Sequence, residues 1–126
     1  MAATASFASI PWNKIIDISA ANTNRDGTGT IVGAAIGASG GRCERIEIKA
    51  VGNTTAGMVR AFKRVSAGSW KLWREYTVDA ITASATVATF TTRDDDIGEV
   101  LEANMEIGFA PHNAEAFEVH LSGGSF

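Results

Sequence analysis

In "CERIEIKA", Cys43 to Ala50, charged and apolar residues alternate strictly from Arg45 onward. Ile46, Ile48 and Ala50 fall on one side of an extended chain, and Arg45, Glu47 and Lys49 on the other. A helix would scatter these residues around its circumference. The stretch therefore reads as a β-strand with one face in a core and one in water.

The same reading extends along the chain. Strand-like segments recur at "KIIDISA" (Lys14 to Ala20), "TIVGAAI" (Thr30 to Ile36), "MVRAFKRV" (Met58 to Val65) and "WKLWREYTV" (Trp70 to Val78). "MEIGFAP" and "AFEVHLSG" complete the set, and "AITASATVATFTTR" favours extended structure. Gly33 weakens the second segment. "MVRAFKRV" has no purely apolar face, which predicts a strand covered on both sides. In "WKLWREYTV", Trp70, Leu72, Arg74, Tyr76 and Val78 are expected inward and Trp73 outward. "DDDIGEVLEANM" is the one place where a short helical turn is expected. Turn residues separate the segments, and "SAGS" closes a hairpin. The expected fold is all-β: an antiparallel sandwich or barrel, jelly-roll-like, of about eight strands. Residues 1–13 are expected to form an N-terminal arm and residues 14–126 the β domain.

Composition narrows the function. The 126 residues are 45% hydrophobic, a globular value. Eleven Lys and Arg against 14 Asp and Glu give a net charge of −3, without the basic balance of a nucleic-acid binder. No apolar run is long enough to span a membrane as a helix. The start lacks the basic region of a cleaved signal, so a cytoplasmic site of assembly is expected. Cys43, the sole cysteine, cannot form an intrachain disulfide and reads as a buried thiol.

Candidate chemistry fails by spacing. "NTNRDGT" offers Asn22, Asn24 and Asp26 at alternate positions, then Gly27, like the first half of a calcium loop. The bidentate acid needed at the twelfth position is Gly33 instead. The stretch reads as a tight polar turn, with Gly27 and Gly29 supplying positive φ. "RDDDIGE", Arg93 to Glu99, reads as a solvated turn. His112 and His120 lack metal-ligand spacing. No nucleophile elbow or phosphate loop occurs. No catalytic residue, metal or cofactor is expected.

Several long stretches resemble a family of small tailed-bacteriophage virion proteins. They are "NRDGTGT", "GRCERIEIKAVGNTTAGMVRAF", "WREYTVDAITASAT" and "GFAPHNAEAFEVHLSGGSF", together covering most of residues 22–126. The family carries the centre seen here from Arg45 to Arg60 and the "HNAEAF" segment of His112 to Phe117. The resemblance implies a structural protein, such as a capsid decoration protein on the outer head surface. It implies a homotrimer bound to the major capsid protein, with no nucleic acid and no membrane as partner. The arm lies outside the resemblance. Composition alone singles out Phe7, Ile10, Trp12, Trp73 and Phe126 as an assembly interface, because aromatic and large apolar anchors suit such contacts. A tail, neck, baseplate or fibre component is the alternative within the virion. A carbohydrate- or receptor-binding module, using Trp73 with Trp70 and Tyr76, is the alternative outside it.

Overall fold

The computed structural model describes residues 10–126, and every regular element among them is a strand. These are β1 (Ile10–Ile18), β2 (Val32–Ala35), β3 (Gly41–Ala50), β4 (Gly57–Val65), β5 (Lys71–Val78), β6 (Thr91–Asp94), β7 (Glu99–Leu101), β8 (Met105–Pro111) and β9 (Phe117–Ser125). One antiparallel sheet has the order β1-β9-β3-β6, with β7 also paired to β3. The other has the order β2-β8-β4-β5. β6 and β7 pair with successive stretches of β3, at Ile46–Lys49 and Gly41–Cys43. Taken as one interrupted strand, they leave eight strands divided between two sheets in jelly-roll order.

The opening stretch is placed as its alternation requires. Ile46, Ile48 and Ala50 are buried between the sheets. Val119 and Leu121 lie opposite Ile48 and Ile46 on β9. Val59, Ala61, Ile107 and Phe109 close the core from the second sheet. Cys43 is fully buried there, and burial pushes its thiol pKa up to about 12. It is an apolar filler without nucleophilic character at neutral pH.

Three expectations are corrected. First, the strand at the N-terminal side begins before Lys14. Ile10 to Asn13 already pair with β9, opposite Ser125, Gly124, Gly123 and Ser122. Glycine at 123 leaves room for Trp12: a Cβ there would lie 2.8 Å from the indole. The ring fills that space and packs on the core.

Second, β5 does not keep one face. Its register with β4 shifts between Ala61 and Phe62, which leaves Trp73 as an extra residue. A bulge of this kind re-aims side chains on its two sides. Beyond it, Arg74, Tyr76 and Val78 point inward as expected. Before it, Trp70 and Leu72 belong to the outer face. Trp73 itself is half-buried and packs on the core, not outward.

Third, "DDDIGEVLEANM" contains no helical turn. Gly98 takes φ +51°. The chain stays extended, pairs with β3 and buries Leu101.

Candidate functional site

β4 carries the polar cluster that sequence flagged only in pieces. Val59 and Ala61 face the core, so Arg60, Phe62 and Arg64 face the opposite way. That outer face is covered. Phe62 is 0% exposed and Arg60 only 3%.

Residues 19–31 form the cover, together with Trp70. Asn22, the first residue of the calcium-like pattern, is buried. Its backbone N–H donates to Pro111 O at 2.8 Å. Its Nδ2 donates to Thr28 O and Thr30 O at 2.9 and 3.1 Å, and its Oδ1 accepts from Asn24 N at 3.0 Å. Asp26 Oδ1 accepts from both the N–H and the hydroxyl of Thr28. The Thr28 hydroxyl is the first cause of a lowered Asp26 pKa, and the backbone bond adds to it. Gly27 and Gly29 take φ +88° and +86°, as the sequence predicts. Two of the oxygens that resembled metal ligands, Asn22 Oδ1 and Asp26 Oδ1, bond within the loop instead, and Asn24 donates its Nδ2 to the Thr28 hydroxyl. The stretch is longer and more buried than a tight turn.

Beneath the loop, one carboxylate serves two guanidinium groups. Glu75 Oε2 accepts from Arg25 Nε at 2.7 Å and from Arg60 Nε at 3.1 Å. The Arg25 bond, followed among the stabilising contacts by that of Arg60, holds the Glu75 carboxyl below its usual range against the opposing effect of burial. Arg60 Nη1 also reaches Asn22 O at 3.5 Å and His112 Nδ1 at 3.4 Å. A guanidinium can only donate, so Nδ1 accepts there. His112 therefore has a structural use. His120 lies on β9, in the other sheet, opposite Ile15 and Glu47. The fold does not bring the two histidines together.

Trp70 lies over Gly33 and Gly108. A Cβ at Gly33 would meet its Cη2 at 2.8 Å, and one at Gly108 would meet it at 2.9 Å. The Arg64 guanidinium stacks on the ring, 4.1 Å from the centroid, and pairs with Glu106 at 3.1 Å. Trp73 packs on the core instead, with Lys63 and Arg74 near its ring at 5.7 and 5.4 Å. Tyr76 donates to Asp94 Oδ2 at 2.9 Å across the two sheets, and Arg74 approaches the same atom at 3.4 Å. Burial first, then that bond, raises the phenol pKa. Lys63 reaches Glu99 at 2.9 Å along the same rim. Thus Asp94 and Glu99 of the acidic stretch tie the sheets together. Trp70 is separated from Trp73 and Tyr76 by the thickness of a sheet.

The expected interface residues divide. Ile10, Trp12 and Phe126 gather at one corner, where Ile10 opposes Ser125 and Phe126 N donates to Gly40 O at 3.1 Å. Ile10 is exposed; Trp12 and Phe126 are half-buried. Trp73 lies on β5, an edge of the other sheet. Phe7 falls outside the described residues. Beside the β4–β5 hairpin, Lys63, Arg64, Lys71, Val65 and Met105 line a surface depression of about 300 Å³. Among the described residues, no group of His, Cys, Asp and Glu is placed to hold a metal ion. Comparison with protein-family models, curated proteins and solved structures returns no match.

Proposed function

We propose that this chain is a structural virion protein of a tailed bacteriophage, a decoration protein that binds the outer head surface and stabilises contacts between major capsid subunits. The observation that carries the reading is where the polar groups go. Asn22, Asp26, Arg60, Glu75, Asp94 and His112 all bond within the chain. They hold loops and sheets in place, and none of them is left converging on a cleft. Exposed apolar side chains, Ile10 and Ile15 foremost, remain as means of association. The long stretches that resemble phage virion proteins supply the setting. The jelly-roll order supports it by analogy, since capsid proteins use that architecture.

With one cysteine the chain has no intrachain disulfide, which suits a protein assembled in a reducing cytoplasm and carried on a particle. Imaging of virions that contain the protein tests the reading. Density on the outer head surface is the expected result. Density confined to the tail, neck or baseplate would replace it with the second virion reading. Jelly rolls also serve as lectin domains, but here Trp70 and Trp73 lie on opposite faces. A glycan array is therefore expected to give no binding.

A further inference from the structure

Three edges of the sandwich are short or bulged, and β1 is neither, although it carries Pro11, Lys14 and Asp17. β2 is four residues long and contains Gly33. β5 is bulged at Trp73 and carries Lys71, Arg74 and Glu75. β6 and β7 are four and three residues long, separated by the turn at Gly98. Short strands, bulges and charges are the usual protections of a sheet edge. β1 runs for nine residues and pairs with β9 without a register shift. Its other edge has no strand partner among the described residues. Ile10 and Ile15, at 62% and 61%, are the most exposed large apolar side chains there.

The outer face of β1 also carries a donor and an acceptor that have no partner among the described residues. Arg45 Nη2 donates to Ser122 Oγ at 3.3 Å, and Ser122 Oγ donates to Asn13 Oδ1 at 3.0 Å. Among the described residues the Asn13 amide nitrogen then has no acceptor, and it can donate beyond the edge. Asp17 lies on the same face, four residues on, and its carboxylate has no partner among the described residues.

We propose that β1 pairs antiparallel with β1 of a second copy of this chain, about a two-fold axis through Ile15. A two-fold along the sheet normal keeps each face on its own side, so odd residues oppose odd ones. With the axis at Ile15, Ile15 meets Ile15 of the partner subunit, and Asn13 meets Asp17 of the partner subunit twice by symmetry. The amide donor and the carboxylate then satisfy each other, and the row from Arg45 continues across the interface. An axis at Lys14 would oppose two ammonium groups. An axis at Ile16 would set Ile15 against a carboxylate. Pro11 would fall opposite Ser19, past the end of β1, so its missing N–H takes nothing from the ladder.

The contact does not rest on the virion reading. A two-fold gives two copies, whereas the resemblance implies three. One strand pair buries less than the ~1,200 Å² of a standard interface, so the dimer is expected to depend on concentration.

Cysteine scanning at the edge tests the register. Opposed residues have Cα atoms about 5 Å apart, within disulfide range. Ile15→Cys is expected to form a disulfide-linked two-chain species under oxidation. Asn13→Cys, which meets Asp17 and not itself, is expected to form none. Cys43 is buried and does not compete. Both positions are exposed, so melting temperatures should match the parent and exclude misfolding. Equal linkage by both variants, or linkage by neither, would overturn the pairing. A solution mass of one chain or three chains at all concentrations would overturn it too, whatever virion imaging finds.

Discussion

The two faces of β4 are buried by different means. Toward the core, Val59 and Ala61 meet Ile107 and Phe109, and burial of apolar area does the work. On the other side, Phe62 sits among Arg60, Arg64 and Trp70 under a loop. That layer depends on two glycines that admit an indole, one carboxylate shared by two guanidinium groups, and an asparagine that closes a loop on itself. The first face tolerates exchange among apolar residues of similar volume. The second depends on particular groups at particular places. The contrast shows why a β domain of this size can carry charged residues on a central strand: the cover is polar but satisfied.

The largest predicted effect asks whether the outer layer is a core in energetic terms. Phe109→Ala should destabilise by about 3–5 kcal/mol, the usual cost of truncating a buried aromatic. Phe62→Ala should cost nearly as much, because Phe62 is equally inaccessible. Urea unfolding of both variants checks this. A loss below about 1 kcal/mol for Phe62→Ala would mean that the outer cover yields easily.

Next is the shared carboxylate. Glu75→Gln leaves the Arg60 charge buried without its counter-ion. Breaking a fully buried pair costs about 3–5 kcal/mol, but Glu75 is 28% exposed, so about 2 kcal/mol is expected. The pH dependence has a definite sign. The folded carboxyl is depressed below the unfolded value of 4.5. Its contribution is therefore complete above pH 4.5 and fades as pH falls through the folded pKa. In Glu75→Gln that part of the acid dependence should vanish in thermal melts.

Glycine-for-indole packing comes third. In Gly108→Ala the new Cβ would lie 2.6 Å from Ile31 Cγ2 and 2.9 Å from Trp70. Side chains must shift, at a cost of about 1–2 kcal/mol. Tryptophan fluorescence should change with it. An unchanged spectrum and stability would place Trp70 elsewhere. The smallest effect is at the rim. Arg25→Ala removes a partner whose side chain is 58% exposed, and unfolding should report about 0.5 kcal/mol.

Much of the fold was legible because period-two alternation is a local signal. β3, β8 and β9 show it clearly, and the two-sided burial of β4 follows from its mixed faces. The bulge at Trp73 was not legible. Nothing in "KLWREY" says which residue is left unpaired, and the register is set by β4. The helical turn expected near Gly98 yielded to pairing with β3. The site was legible as pieces: Asn22 and Asp26, His112 and the acidic stretch were each noticed. Their assembly depends on contacts such as those of Arg60 with Asn22 and His112, 38 and 52 positions apart, which spacing along the chain does not reveal.

Residues 19–31 belong to the folded unit and bury one face of β4. Hydrogen exchange at the Asn22 amide tests this most directly, because that N–H donates to Pro111 O at the end of β8. The amide should exchange as slowly as those of Phe109 and Ala110, opening only with the sandwich itself. Exchange as fast as that of the exposed Gly52 amide would show that the loop opens independently and that the second buried face does not exist as described.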